Sequence, residues 1–137
     1  VERVVFCSGK VYYDLLEARR AAQVDNVAIV RIEQLYPFPQ TEYAETINGY
    51  PNVREIIWCQ EEPGNQGAWY QIRHRLQEPL KPKHLLSYAG RTPSASTAAG
   101  YMQLHVQQQK ELIQDALGAA DAKQGAAAKT RPSLIKS

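Results

Sequence analysis

Polar groups able to do chemistry collect between Trp58 and Tyr70, WCQEEPGNQGAWY, where Gln60, Glu61, Glu62, Asn65 and Gln66 stand among Pro63, Gly64 and Gly67. Adjacent carboxylates invite an acid and base reading, but consecutive side chains leaving a strand point to opposite sides, which does not suit Glu61 and Glu62 as a catalytic pair. They suit a helix cap or an ion pair with an arginine. Lys10 follows Ser8-Gly9 and Arg91 follows Gly90, so two cations sit beside glycine turns and are the candidate anion partners. Ser8-Gly9-Lys10 is not a nucleoside triphosphate loop of the Walker kind: Val4 occupies the place of the earlier Gly and Val11 that of the Ser or Thr. His74, His84 and His105 fall at no triad or ligand spacing and read as surface or structural residues.

These residues need elements to bring them together, and the hydrophobic pattern supplies an alternation of strands and helices. Residues 3 to 7 form a short apolar strand, followed by a turn at Ser8-Gly9-Lys10 and a helix on Val11, Tyr12, Leu15, Leu16 and Ala22. Ser8 is expected near that helix start as an acceptor for a backbone N–H. Residues 27 to 32, VAIVRI, are apolar almost throughout, which predicts a strand covered on both faces and paired in parallel. Pro37 and Pro39 delay the next helix to about Gln40, with Thr41 as its expected cap and Tyr43, Ala44 and Ile47 turned inward. A third strand over residues 55 to 59 leads into the polar turn beginning at Gln60, and then to a helix with Trp69, Ile72 and Leu76 on one face.

A fourth strand is expected from His84 to Ala89, then a loop in which Ser94, Ser96 and Thr97 can cap, then a helix from Ala98 to Leu117 packed through Tyr101, Leu104, Leu112, Ala116 and Leu117. The predicted fold class is therefore α/β, a three-layer domain with a mostly parallel sheet flanked by helices, over residues 1 to 117. In such a sheet the loops at the carboxyl ends of the strands share one edge, where ligands and partner chains are usually met. That edge would carry Lys10, Gln60, Glu61, Glu62 and Arg91. For each, bonding between loops inside the domain is the competing reading.

Bulk properties agree with one domain. The chain has 137 residues, 44% hydrophobic and 22% charged, near the globular average and far from disorder or a membrane protein. Its net charge of +2 is unevenly placed: from Gly118 onward Lys123, Lys129, Arg131 and Lys136 face only Asp121, a balance of +3, which leaves the rest at −1. The body has no basic stripe for nucleic acid, and Arg73, His74 and Arg75 read as a solvated helix face. Residues 118 to 137 read as a flexible Ala/Gly/Lys-rich tail. Cys7 and Cys59 each close an apolar run, as buried free thiols do. Without a CxxC pair or further ligands at metal spacing, no metal site or disulfide framework is expected, and the compartment is reducing. The start, VERVVFC, carries no signal-peptide pattern.

Four blocks carry a family resemblance: FCSGKVYYDL at 6 to 15, VAIVRIEQLYPFP at 27 to 39, WCQEEPGNQGAWY at 58 to 70, and YAGR followed by SAS and AGY at 88 to 101. The chain resembles the C-terminal domain of the E1 components of 2-oxoglutarate dehydrogenase complexes, in the thiamine diphosphate-dependent, transketolase-like group. The resemblance implies a parent enzyme that decarboxylates 2-oxoglutarate and passes the succinyl group to the lipoyl arm of E2. Thiamine diphosphate and Mg2+ would be bound upstream of this region, together with the catalytic histidines, so no catalytic, cofactor or metal residue is expected here and the isolated fragment should be inactive.

The implied roles of the domain are assembly with the rest of E1 and a second E1 subunit, framing of the active-site entrance, and an effector pocket for a nucleotide or acyl-CoA. Lys10, Gln34, Gln60, Glu61, Glu62, Asn65, Gln66 and Arg91 are the interface and effector candidates. Neither nucleic acid nor a membrane is an expected partner. The location would be the bacterial cytoplasm, or the mitochondrial matrix in a eukaryote. The same resemblance fits a paralogue acting on 2-oxoadipate, and a domain of this shape could also work as a non-catalytic nucleotide or CoA binder.

Overall fold

The structure, a computed structural model, describes residues 1–63, 67–91 and 98–118. Strands and helices alternate as β1 (Arg3–Cys7), α1 (Val11–Ala22), β2 (Val27–Arg31), α2 (Gln40–Asn48), β3 (Glu55–Pro63), α3 (Trp69–Gln77), β4 (Leu85–Arg91) and α4 (Ala98–Leu117). The strands make one sheet in the order β2-β1-β3-β4, and every neighbouring pair is parallel. No helix among the described residues is long and apolar enough to cross a membrane.

Period-two alternation along β1 divides the core. Val4 and Phe6 of β1, with Ile56 and Trp58 of β3, face one layer with Tyr43 and Ile47 of α2 and Ile72 and Leu76 of α3. Val5 and Cys7 of β1, with Ile57 and Cys59 of β3, face the other with Val11 and Leu15 of α1 and Leu112 and Ala116 of α4. This is the three-layer arrangement that the sequence predicts. β2 pairs in parallel with β1 as expected. It lies at the sheet edge, however, with Ile29, Val30 and Arg31 only half-buried, so the continuous apolar run overstated its coverage.

Several local expectations need correction. β3 does not stop at Cys59 but continues through Gln60, Glu61, Glu62 and Pro63, with its register against β4 shifting between Cys59 and Pro63. β4 likewise extends to Arg91 and so contains Gly90. Ser8 does not cap α1: Gly9 and Lys10 intervene, Lys10 is the N-cap residue, and no side chain bonds there. Gly9 does turn the chain with φ +83, a conformation that disfavours other residues. Thr41 lies inside α2, whose N-cap position is Pro39, again without a side-chain bond. Ser94, Ser96, Thr97, the side chain of Tyr101 and the tail from residue 119 lie outside the described residues.

Two arginines fasten α4 to the sheet. Arg3 donates from Nη1 to the carbonyls of Asp115 and Ala116 at 3.0 and 2.9 Å and pairs with Glu55 at 2.9 Å, placing a cation at the negative end of the helix dipole. Midway along the helix, Arg91 of β4 donates to the His105 carbonyl at 3.0 Å and to Gln109 Oε1.

Candidate functional site

Strand order settles where the carboxyl edge is open. The chain leaves β1 toward β2 on one side and returns through β3 on the other, so the connections diverge between β1 and β3. Such a switch point leaves a crevice beyond the strand ends. Lys10 follows β1 and Glu61 lies in the extension of β3, and their side chains meet there, Nζ to Oε2 at 2.9 Å. Lys10 remains 79% exposed and Glu61 23%. The hydrogen bond and charge of Glu61 raise the Lys10 pKa, so its ammonium is fully held at neutral pH. An exposed pair adds little to stability. Accordingly Lys10→Ala should leave the unfolding midpoint within about 2 °C of the parent in a thermal melt.

Gln60 has a different part. It is 3% exposed, and its Oε1 accepts the indole N–H of Trp58 and the backbone N–H of Trp69, both at 2.9 Å. Trp69 is the first residue of α3, whose start carries no capping side chain of its own at Ala68. Gln60 therefore serves that helix start from the neighbouring strand. Its Nε2 donates to the Glu62 carbonyl at 3.0 Å, and Tyr88 donates its hydroxyl to the same carbonyl at 2.9 Å. Burial pushes the Tyr88 phenol up to about 12 against a lowering hydrogen bond with Gln60. The residue is thus an internal tie, and its amide is not presented to solvent.

The remaining candidates separate. The Glu62 side chain is exposed, while Glu61 turns toward Lys10, so the two carboxylates do diverge as expected. Gln34 is exposed after β2 and, among the described residues, donates to the Tyr36 carbonyl at 3.4 Å, on the rim of a cavity of about 460 Å³ walled by Phe6, Phe38 and Tyr43. Arg91 is drawn into the fold by His105 and by Gln109, whose Nε2 in turn donates to Asp14 at 3.0 Å, so its cation joins β4, α4 and α1. Asn65 and Gln66 lie outside the described residues.

One residue was missed by sequence reasoning. The Arg31 guanidinium ends β2 and lies 5.6 and 5.2 Å from the ring centres of Tyr12 and Tyr13, donates to the Tyr13 hydroxyl at 3.0 Å, and pairs with Glu33. An arginine closing an apolar run opposite a tyrosine doublet was the available signal.

Cys7 and Cys59 are register partners on β1 and β3, both free and fully buried. Burial is the main cause that pushes the Cys7 thiol up to about 12 and Cys59 well above its ordinary value. Both stay protonated in the folded chain. The unfolded chain releases their protons from about pH 8.5, so their contribution is complete below that value and is lost as pH rises toward the folded values, at about 1.4 kcal/mol per pH unit for each thiol. Urea midpoints taken from pH 7 to pH 10 should fall along this slope. The slope should be shallower in Cys7→Ala.

Among the described residues no group of three or more His, Cys, Asp and Glu side chains could hold a metal ion. The histidines stand on three separate segments, His74 on α3, His84 in the α3–β4 loop with Nδ1 accepting the Lys81 N–H, and His105 on α4. Without such a set of ligands for Mg2+, the described surface does not fit a thiamine diphosphate site.

The model of the family described as 2-oxoglutarate dehydrogenase C-terminal matches residues 1–117. The chain belongs to the 2-oxoglutarate dehydrogenase C-terminal family. It is 56% identical over 117 residues to the 2-oxoglutarate dehydrogenase E1 component of Haemophilus influenzae, covering 85% of this chain and 12% of that protein. The corresponding protein of Azotobacter vinelandii is 55% identical over 119 residues, covering 85% and 13%. The mitochondrial 2-oxoglutarate dehydrogenase of Schizosaccharomyces pombe is 48% identical over 122 residues, covering 85% and 12%. The chain therefore spans roughly an eighth of the length of these relatives. As a 2-oxoglutarate dehydrogenase C-terminal domain, it offers the Lys10–Glu61 bridge and the Arg31–tyrosine cluster at one sheet edge.

Proposed function

We propose that this chain is the C-terminal domain of a thiamine diphosphate-dependent E1 enzyme that decarboxylates 2-oxoglutarate and transfers the succinyl group to the lipoyl arm of an E2 component. The observation that carries this reading is the 56% identity to an E1 component, sustained over the whole family match. Thiamine diphosphate and Mg2+ belong to modules outside this segment. The domain's share is assembly with the rest of the E1 chain and with a second E1 subunit, and framing of the active-site entrance. The carboxyl sheet edge suits that share, because the Arg31 cluster and the exposed Tyr36 and Tyr70 bring the residue types that anchor protein interfaces.

A nucleotide or acyl-CoA effector is the finer part of the reading, and Lys10 is the residue it would use, since an anion can compete with Glu61 for an exposed ammonium. The setting is the cytoplasm of a bacterium, or the matrix where the longer protein is mitochondrial. The test is turnover of 2-oxoglutarate, with thiamine diphosphate and Mg2+ present, by the full-length protein and by this chain alone. Turnover confined to the full-length protein is the expected result. Activity in the chain alone, or a full-length protein that uses 2-oxoadipate and not 2-oxoglutarate, would overturn the assignment.

A further inference from the structure

We propose that the outer face of α3 is a docking surface for an acidic segment of the E2 component, engaged each time the lipoyl arm visits. Trp69, Ile72 and Leu76 hold the inner side of this helix in the core. At about 100° per residue, His74 then stands on the opposite side, with Arg73 and Arg75 flanking it and Tyr70 one turn before it, all exposed. Tyr70 is 68% exposed, and the Arg73 guanidinium lies 5.6 Å from its ring centre, which holds a cation over an aromatic face at the surface. Tyrosine and arginine are the residue types on which protein contacts concentrate.

Charge says what the partner carries. No acidic residue lies within α3, and Glu78 comes only at its C-cap. Among the described residues the ion pairs with carboxylates involve Arg3, Lys10 and Arg31, and neither Arg73 nor Arg75. Glu42 and Glu45 on the neighbouring α2 and Glu62 on β3 are exposed, yet none of them pairs with either arginine. Residues 69–83 carry Arg73, Arg75, Lys81 and Lys83 against Glu78, a balance of +3, which leaves −4 for the rest of residues 1–117. Positive charge is thus gathered on α3 and the loop that follows it, giving a field that draws carboxylates in and turns cations away.

Composition says how the partner binds. Tyr70 is the one large apolar side chain exposed on α3, whereas interfaces held permanently are apolar across their centres. Such a face suits a contact that a separate protein makes and releases quickly. In the proposed function E2 is the separate protein that must come and go, since its lipoyl arm leaves with a succinyl group at each turnover. α3 starts just beyond the carboxyl end of β3, at the sheet edge assigned to the active-site entrance, so a partner docked on it would lie beside that entrance. Naming E2 rests on the proposed E1 function, while the acidic character of the docked segment rests on α3 itself.

Full-length E1 and E2 from the same organism give the test. Two rates are compared: decarboxylation of 2-oxoglutarate with ferricyanide as electron acceptor, which needs no E2, and succinyl transfer to the E2 lipoyl group read by mass spectrometry. Arg73→Glu/Arg75→Glu should leave the ferricyanide rate within about twofold of the parent and raise the KM for E2 by about tenfold or more. Arg73→Lys/Arg75→Lys keeps the charge and should stay within about threefold of the parent in both assays. Arg20→Glu/Lys110→Glu makes the same change of net charge on α1 and α4, across the sheet, and should transfer as the parent does. Raising salt from about 50 to 200 mM should weaken transfer by the parent and not by the α3 Glu variant. An α3 Glu variant with the parent's KM for E2 overturns the docking surface. So does an equal loss in the α1 and α4 control, or a ferricyanide rate that falls along with transfer. A parent that turns over 2-oxoglutarate in neither assay would instead overturn the E1 reading, and the choice of E2 with it.

Discussion

Replacing Gln60 by Ala should destabilise the chain by about 3–5 kcal/mol, enough to lower the unfolding midpoint by roughly 15–25 °C. The substitution strips the acceptor from two buried donors at once, the Trp58 indole and the Trp69 backbone N–H. Leaving a buried donor unmet costs about 1–3 kcal/mol, and truncating a side chain that is 3% exposed adds a cavity beside Trp58. Gln60→Met separates the two effects, since it keeps most of the volume and loses only the hydrogen bonds, and should cost about 2–3 kcal/mol. Urea unfolding of both variants gives the comparison, with the m-value reporting whether the start of α3 frays before the rest. A loss below about 1 kcal/mol for Ala would mean that water or another side chain takes over both donors.

Gln60 also shows where the sequence could and could not be read. Alternation of apolar runs with helical spacing placed the strands and helices, because burial on both faces of a parallel strand leaves a continuous apolar pattern in VVFC of β1 and IIWC of β3. The run QEEP has the composition of a turn, and nothing local says otherwise. What makes it strand is tertiary: Tyr88 on β4 and Trp69 on α3 bond to it from 26 and 9 residues away. Strand order was equally hidden, because right-handed crossovers limit the arrangements of four parallel strands without choosing among them.

The candidate edge was legible to the same depth. Parallel pairing forces the loops after β1 and β3 to one side, so the meeting of Lys10 with Glu61 follows from the topology once β1 and β3 are neighbours. From the sequence Arg91 reads as an anion partner because it carries a positive charge beside the glycine turn at Gly90. In the fold it bonds to His105 and Gln109, which are 14 and 18 residues on and depend on how α4 crosses the sheet. Arg31 was passed over for the converse reason. Its rings come from α1, and only the β1–β2 pairing brings them within reach.

Gly90→Ala should cost about 2–4 kcal/mol, although alanine in an open strand position would ordinarily improve on glycine by roughly 0.5–1 kcal/mol. The reversal comes from Tyr88. Residues 88 and 90 share one face of β4, and the Tyr88 ring lies across Gly90, so that a new Cβ would collide with the phenol and stand 3.0 Å from the Gln60 carbonyl. The ring would have to leave, giving up its bond to the Glu62 carbonyl and its contact with Trp69, whose ring centre is 5.3 Å away. A double-mutant cycle decides whether this is the cause. In a Tyr88→Ala background the collision is gone, and Gly90→Ala should then cost less than about 1 kcal/mol, a coupling of about 1.5 kcal/mol or more between the two positions. Additive losses would instead place the strain at the Gln60 carbonyl, on the bulged part of β3, and Gly90 would then be holding the strand extension in place and not the ring that covers it.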